Sequence, residues 1–383
     1  MNVTELAFAV IRREMENLPL DEQTKNCIHA DAQAELYKLL GAHDLAHLLS
    51  DALLKNEIFV EGGKGRKWLL QHRNRAVCRC EQMQYEIDAI VRAFENAEIP
   101  HVLLKGAALR DAYPHAWFRT SCDVDILVKE SDLLRAGDAL CEIGYAQGTK
   151  GSHDVRFVAT GGVNLELHYS LIETAVNADA SRVLQGVWEN VVLRDGFCHS
   201  YVMVDEFAYF YHVAHMAKHF ANGGCGIRSV LDLYVMNGWQ NARREDLLQQ
   251  GNLSAFDKAM RSLASVWFSG LPYDDLNKEI AEYILRGGAY GVMENRVVIQ
   301  QTKKGGKFRY AMSRIFLPYE TLRFYYPSLQ NRKWLTPLYQ IRRWGRLIFG
   351  GGMKRSLKEL QTNGSVTKEK QERAYTLLEK LGI

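Results

Sequence analysis

Asp123-Val124-Asp125-Ile126-Leu127-Val128 is the stretch on which the reading of this chain turns. Side chains alternate faces along a strand. Both aspartates therefore point one way, while Val124, Ile126 and Val128 point into a core. Two ionised carboxylates sharing a face repel each other unless a cation lies between them, and a hard divalent cation with oxygen ligands is the usual partner. Upstream, Leu103-Leu104-Lys105-Gly106-Ala107-Ala108 reads as a strand entering a glycine turn and then a helix. Downstream, Glu166 stands in Val163-Asn164-Leu165-Glu166-Leu167-His168, a second alternating strand. A glycine turn, an acid pair and a third acid on a neighbouring strand outline a metal-dependent phosphoryl-transfer site.

Working outward, the pattern around these residues is strand, helix, strand, helix, then a hairpin. His101 to Leu104 is a short strand, and a short helix follows from Ala107 to Ala112, stopped near Pro114. A further helix fills Asp132 to about Ile143, and Thr160-Gly161-Gly162 closes a hairpin between Val155–Ala159 and Val163–Tyr169. This is an α+β arrangement with a small mixed sheet. Residues 1–96 read as an N-terminal helical region, ending in a long helix from Trp68 to Ala97 that Ile99-Pro100 terminates. Residues 97–175 form the α/β core. Residues 176–300 read as mostly helical and close the cleft, and 301–383 form a basic, aromatic segment with a terminal helix.

Composition is that of an ordinary soluble protein, with 47% hydrophobic and 24% charged residues in 383. Seven scattered cysteines show no disulfide framework and no zinc-ribbon spacing, which points to a reducing cytoplasm. The N-terminal apolar stretch is too short and too charged for a signal sequence. No apolar run approaches about 18 residues, so no membrane span is expected. The net charge of +3 hides a strong asymmetry. Residues 301–360 hold 14 Lys and Arg against Glu320 and Glu359, a balance of +12, so the rest of the chain carries −9.

The combination Lys105-Gly106, Leu109-Arg110-Asp111-Ala112-Tyr113-Pro114, Arg119, Asp123-Val124-Asp125 and Glu166-Leu167-His168 resembles the DNA polymerase β-like nucleotidyltransferase superfamily. Within it, the chain is most similar to the bacterial nucleotidyltransferase family proteins. His212, His215, His219, Arg228 and Asp232, and the later Arg323-Phe324-Tyr325-Tyr326-Pro327, extend that likeness over roughly residues 80 to 345. The resemblance implies a polymerase β-like core and transfer of NMP from an NTP, ATP first among them, to a hydroxyl on a small molecule, sugar or protein. It implies Mg²⁺, or Mn²⁺, held by Asp123, Asp125 and Glu166, with Glu166 orienting or deprotonating the attacking hydroxyl. Gly106 and Ala107 would bring backbone N–H groups to the triphosphate. Lys105, Arg110 and Arg119 would neutralise phosphate charge, and His168 would line the nucleotide site. His215, His219, Arg228 and Asp232 would line an acceptor cleft. The chain departs from the pattern at Gly106-Ala107, where many such enzymes have Gly-Ser or Gly-Gly.

Each residue has a plainer reading beside this one. An Asp-x-Asp pair can be a solvated strand edge, Glu166 the polar face of a hairpin, and Lys105 an exposed strand end. Arg228 and Asp232 lie one helical turn apart, as a simple salt bridge would. The basic segment fits three roles: a nucleic-acid groove with aromatic platforms, a contact with an anionic membrane, or a solvated face over a buried aromatic stripe. A non-catalytic NTP-binding or interaction module, or a nucleic-acid-binding protein using that segment, is the alternative for the whole chain.

Overall fold

Among the described residues, seven strands, numbered in chain order, form one mixed sheet in the order β3-β4-β5-β2-β1-β7-β6. The structure, a computed structural model, describes all residues except 172–176, 239–241, 290, 292, 330 and 350–352. The strands are β1 His101–Leu104, β2 Asp123–Val128, β3 Ala146–Lys150, β4 Asp154–Val158, β5 Asn164–His168, β6 Val191–Leu193 and β7 Ser200–Met203. The fold class is the α+β expected from the sequence, with helices before and after the sheet. The sequence reading ended the sheet at the hairpin. The structure adds β3 beyond β4 at one edge, and β7, pairing parallel with β1, carries β6 at the other.

The acid-bearing strand lies in the interior of the sheet, antiparallel to β1 and parallel to β5. Its two faces meet two different cores. Val124, Ile126 and Val128 pack with Leu165 and Leu167 of β5 against Met83, Ile87, Ile90 and Phe94. Those four belong to the 31-residue helix Arg66–Asn96, whose buried positions form one stripe. Fully burying side chains of this size stabilises the fold by about 1.5–3 kcal/mol each, which fixes the register: a one-residue slip would turn the aspartates into this core. On the opposite face, Leu127, Val102 and Leu104 join the larger core. That core is shared by the N-terminal helices, through Leu6, Leu36 and Leu49, and by later helices, through Phe210, Leu231 and Leu263. Asp123 and Asp125 share this second face, which the helical part of the chain covers.

Candidate active site

The parallel register sets Asp125 directly beside Glu166, and the antiparallel register sets Leu104 against Asp125. One residue on from Leu104, Lys105 turns back with φ at +48°, a left-handed conformation unusual for a non-glycine residue. Its Nζ lies 2.7 Å from Asp125 Oδ1. His168, two residues after Glu166 and on the same face, has Nε2 2.8 Å from the same oxygen. A carboxylate only accepts, so Nε2 carries the proton in this arrangement. His168 Nε2 is also 3.7 Å from Glu166 Oε2. One donor atom each from Asp125, Glu166 and His168 fall within 4.8 Å of one another, close enough to share a single cation.

The electrostatics pull the two aspartates apart. Burial opposes the charge on Asp125, which is 4% exposed, but Lys105 and His168 outweigh it and hold its carboxyl at about 2. Asp123 is half-buried and is held above the usual carboxylate range, first by burial and then by the charge of Asp125, with Glu166 adding to it. Burial likewise disfavours the ammonium of Lys105, yet Tyr211 and Asp125 raise it above its ordinary value. Asp123 thus bears a charge cost that a further cation would relieve, and neighbouring carboxylates driven in opposite directions are a pattern of acid–base sites.

The family model described as "Uncharacterised nucleotidyltransferase" matches residues 29–268, more than half of the chain. The chain belongs to this uncharacterised nucleotidyltransferase family. No curated protein matches it. The matched span holds every strand of the sheet and all of the acid cluster, and it stops short of the basic segment.

Other residues expected at the site of this nucleotidyltransferase take different places. Gly106 faces Ser121 on its Cβ side. A Cβ there would meet Ser121 Cβ at 2.9 Å, so the missing side chain allows the short helix Lys105–Leu109 to pack on Ser121. Ala107 is buried with Val124 and Ile126 and lines a cavity together with Lys105 and His215. Arg110 is buried, and its Nη1 donates to Gln84 Oε1 at 3.4 Å. Arg119 donates to Asp232 from Nε at 2.7 Å and Nη2 at 2.9 Å, while the Tyr113 hydroxyl donates to Asp232 Oδ1 at 2.5 Å. Burial opposes the Asp232 charge, but Arg119 outweighs it and lowers the carboxyl below its usual range. Arg228 does not pair with Asp232 one turn away; it donates to Asp44 Oδ2 and the Thr120 carbonyl at 2.9 and 3.0 Å. Asp232, Arg119 and Arg228 therefore clasp the helical region to the loop before β2.

The histidines of the helix Asp205–Phe220 divide. His212 Nε2 bonds the Ser229 carbonyl at 3.1 Å, while His215 and His219 bring their Nε2 atoms to 3.1 Å of each other. Burial, and then Lys105, push His215 well below its ordinary value, which keeps it neutral. His215, His212, Tyr211 and Lys105 line a cavity of about 250 Å³ with Leu104 and Met203, linked to the acid cluster through the Lys105–Asp125 pair. His219 is exposed.

Arg156 was not anticipated. It lies opposite Glu166 on β4, with Nη2 3.3 Å from Glu166 Oε1. Counting back from the Ala159–Val163 closing pair of the hairpin gives this register, so the signal was present in the turn. Tyr211 carried no such signal, because only the packing of its helix brings it to Lys105.

Proposed function

We propose that this protein transfers NMP from an NTP, ATP first, to a hydroxyl on a small molecule, sugar or protein side chain, with pyrophosphate leaving. Family membership supports nucleotidyl transfer, and the convergence of Asp125, Glu166 and His168 donors within 4.8 Å carries the reading of a metal-dependent reaction. Two carboxylate oxygens and one imidazole nitrogen suit Mn²⁺ as well as Mg²⁺. Asp125, Glu166 and His168, once its Nε2 proton is released, would hold one ion, and Asp123, beside Asp125, would offer a donor to a second. Bound there, divalent cations neutralise triphosphate charge and acidify the attacking hydroxyl.

The protein's own groups supply the rest. Glu166, part-exposed on the strand next to Asp125, orients the acceptor hydroxyl and takes its proton as the oxygen bonds the α-phosphorus. The bond from that phosphorus to the bridging oxygen breaks, and pyrophosphate departs with its electron pair. Lys105, a permanent cation pinned at the strand end, offers its charge to the phosphates once a metal satisfies Asp125. The adjoining cavity, walled by Leu104 and Met203 with His215 and Tyr211 on one side, is of a size to hold a small acceptor.

The test is pyrophosphate release and label transfer from α-³²P-ATP with Mg²⁺ or Mn²⁺. Asp125→Asn and Glu166→Gln are each expected to lower turnover by at least ~10²-fold. Unchanged turnover in Asp125→Asn would remove the acid pair from the mechanism. Nucleotide binding with no transfer under any metal would favour a non-catalytic module.

A further inference from the structure

The basic segment folds so that its apolar side is uncovered. The helix Thr336–Phe349 buries Gln340 and half-buries Trp344 and Leu347 on one face. On the opposite face Leu338, Ile341, Ile348 and Phe349 are 59%, 61%, 51% and 90% exposed. Their spacing of three, seven and one makes a single stripe on a helix. Arg342 and Arg346, both exposed and one turn apart, border that stripe, and Trp334 just before the helix is 78% exposed. The helix Lys307–Ile315 repeats the pattern with Phe308, Met312 and Ile315 exposed at i, i+4 and i+7. The two helices are joined where Phe316 meets Trp344 edge-on, and Arg343 and Trp344 each donate to the Ile315 carbonyl at 3.0 Å. Tyr310 and Tyr326 of this segment are buried, as the reading of a buried aromatic stripe expects, but the apolar stripe of Thr336–Phe349 is not.

Exposed apolar area of this extent marks a contact surface, and the charge selects its partner. A second copy would bring one +12 segment against another. A nucleic acid would match the charge and could stack on Phe349 or Trp334, but Leu338, Ile341 and Ile348, three of the four stripe residues, offer no ring and would stay in water. An anionic bilayer satisfies both features: the stripe enters the acyl boundary while Arg342 and Arg346 meet the headgroups. Fourteen residues of helix span only about 21 Å, short of a bilayer's ~30 Å core, and no described helix is long and apolar enough to cross a membrane. The helix would therefore lie in the interface.

We propose that the helix Thr336–Phe349, through its Leu338–Ile341–Ile348–Phe349 stripe and the bordering Arg342 and Arg346, docks this protein on an anionic phospholipid surface. The docking is independent of nucleotidyl transfer.

The experiment is co-flotation of the full chain with vesicles of phosphatidylcholine alone or mixed with phosphatidylserine, followed also by tryptophan fluorescence. Binding to the mixed vesicles only, weakened by salt and with a blue shift, is expected. A basic residue near such a surface contributes about fivefold in affinity, so Arg342→Gln with Arg346→Gln should lower it roughly 25-fold. Ile341→Ser with Ile348→Ser should lower it by at least ~10-fold. Leu134→Ser, an 83% exposed position on the helix Leu133–Glu142, outside the basic segment, should leave it unchanged. These side chains lie on the surface, and unchanged thermal unfolding checks that each variant folds. No binding to the anionic vesicles at low salt, equal binding to both vesicle types, or equal binding by both double variants would overturn the proposal. So would binding of a single-stranded homopolymer, or dimer formation abolished by Ile341→Ser with Ile348→Ser, in the absence of vesicle binding.

Discussion

Replacing Asp232 by Asn isolates the clasp between the sheet and the helical region. Asp232 is 1% exposed and accepts three bonds, from Arg119 Nε and Nη2 and from the Tyr113 hydroxyl. An asparagine keeps one acceptor oxygen and turns an NH₂ toward donors, so at least one bond is lost and the guanidinium faces like polarity. Arg119, 9% exposed, is then left without its counter-charge. Breaking a buried pair in this way costs about 3–5 kcal/mol. Arg119 still donates to the Thr120 carbonyl at 2.8 Å, which places the expectation at the lower end, about 3 kcal/mol. At roughly 2 °C per kcal/mol for a chain of this size or somewhat smaller, Tm should fall by about 6 °C. Calorimetry and urea titration measure this directly. The double variant Arg119→Met with Asp232→Leu removes both charges, and it should be less destabilised than the sum of its single changes by more than about 1 kcal/mol. An Asp232→Asn protein within ~0.5 kcal/mol of the parent would refute the argument, because the carboxylate would then not be the buried counter-ion of Arg119.

Gly106→Ala is expected to destabilise by about 1–3 kcal/mol through overpacking against Ser121, with Ser121→Gly restoring most of the loss in a denaturant melt; a neutral Gly106→Ala would show that the contact relaxes freely. Glu14 gives a pH dependence. Burial raises its carboxyl to about 7, against the opposing pull of Lys55. A carboxyl raised in the folded state binds more protons there than when unfolded, so stability is greatest below its unfolded value and falls as pH rises toward 7. The loss is at most about 3 kcal/mol; Glu14→Gln should flatten that slope in urea titrations from pH 4.5 to 7.5, and an unchanged slope would count against the assignment. At the acid cluster, Lys105→Met should raise the Asp125 carboxyl from its depressed value, which NMR titration of that carboxyl would follow; no movement would mean that the 2.7 Å pair does not persist in solution.

What was legible in the sequence was local. The alternation in Asp123–Val128 fixed which residues face the core, because a strand has a two-residue period whatever surrounds it. The hairpin at Thr160-Gly161-Gly162 fixed its own register, and with it the neighbours of Glu166. Bonds made across long separations were decided only by the tertiary structure. His168 reaches Asp125, Arg119 finds Asp232 113 residues away rather than a phosphate, and Gly106 is small for Ser121. A residue type limits what a side chain can bond, but which partner it meets depends on how helices pack over the sheet, and that is set by the shared core rather than by neighbours along the chain. The same reason hid the exposed stripe of Thr336–Phe349: only the packing left it uncovered.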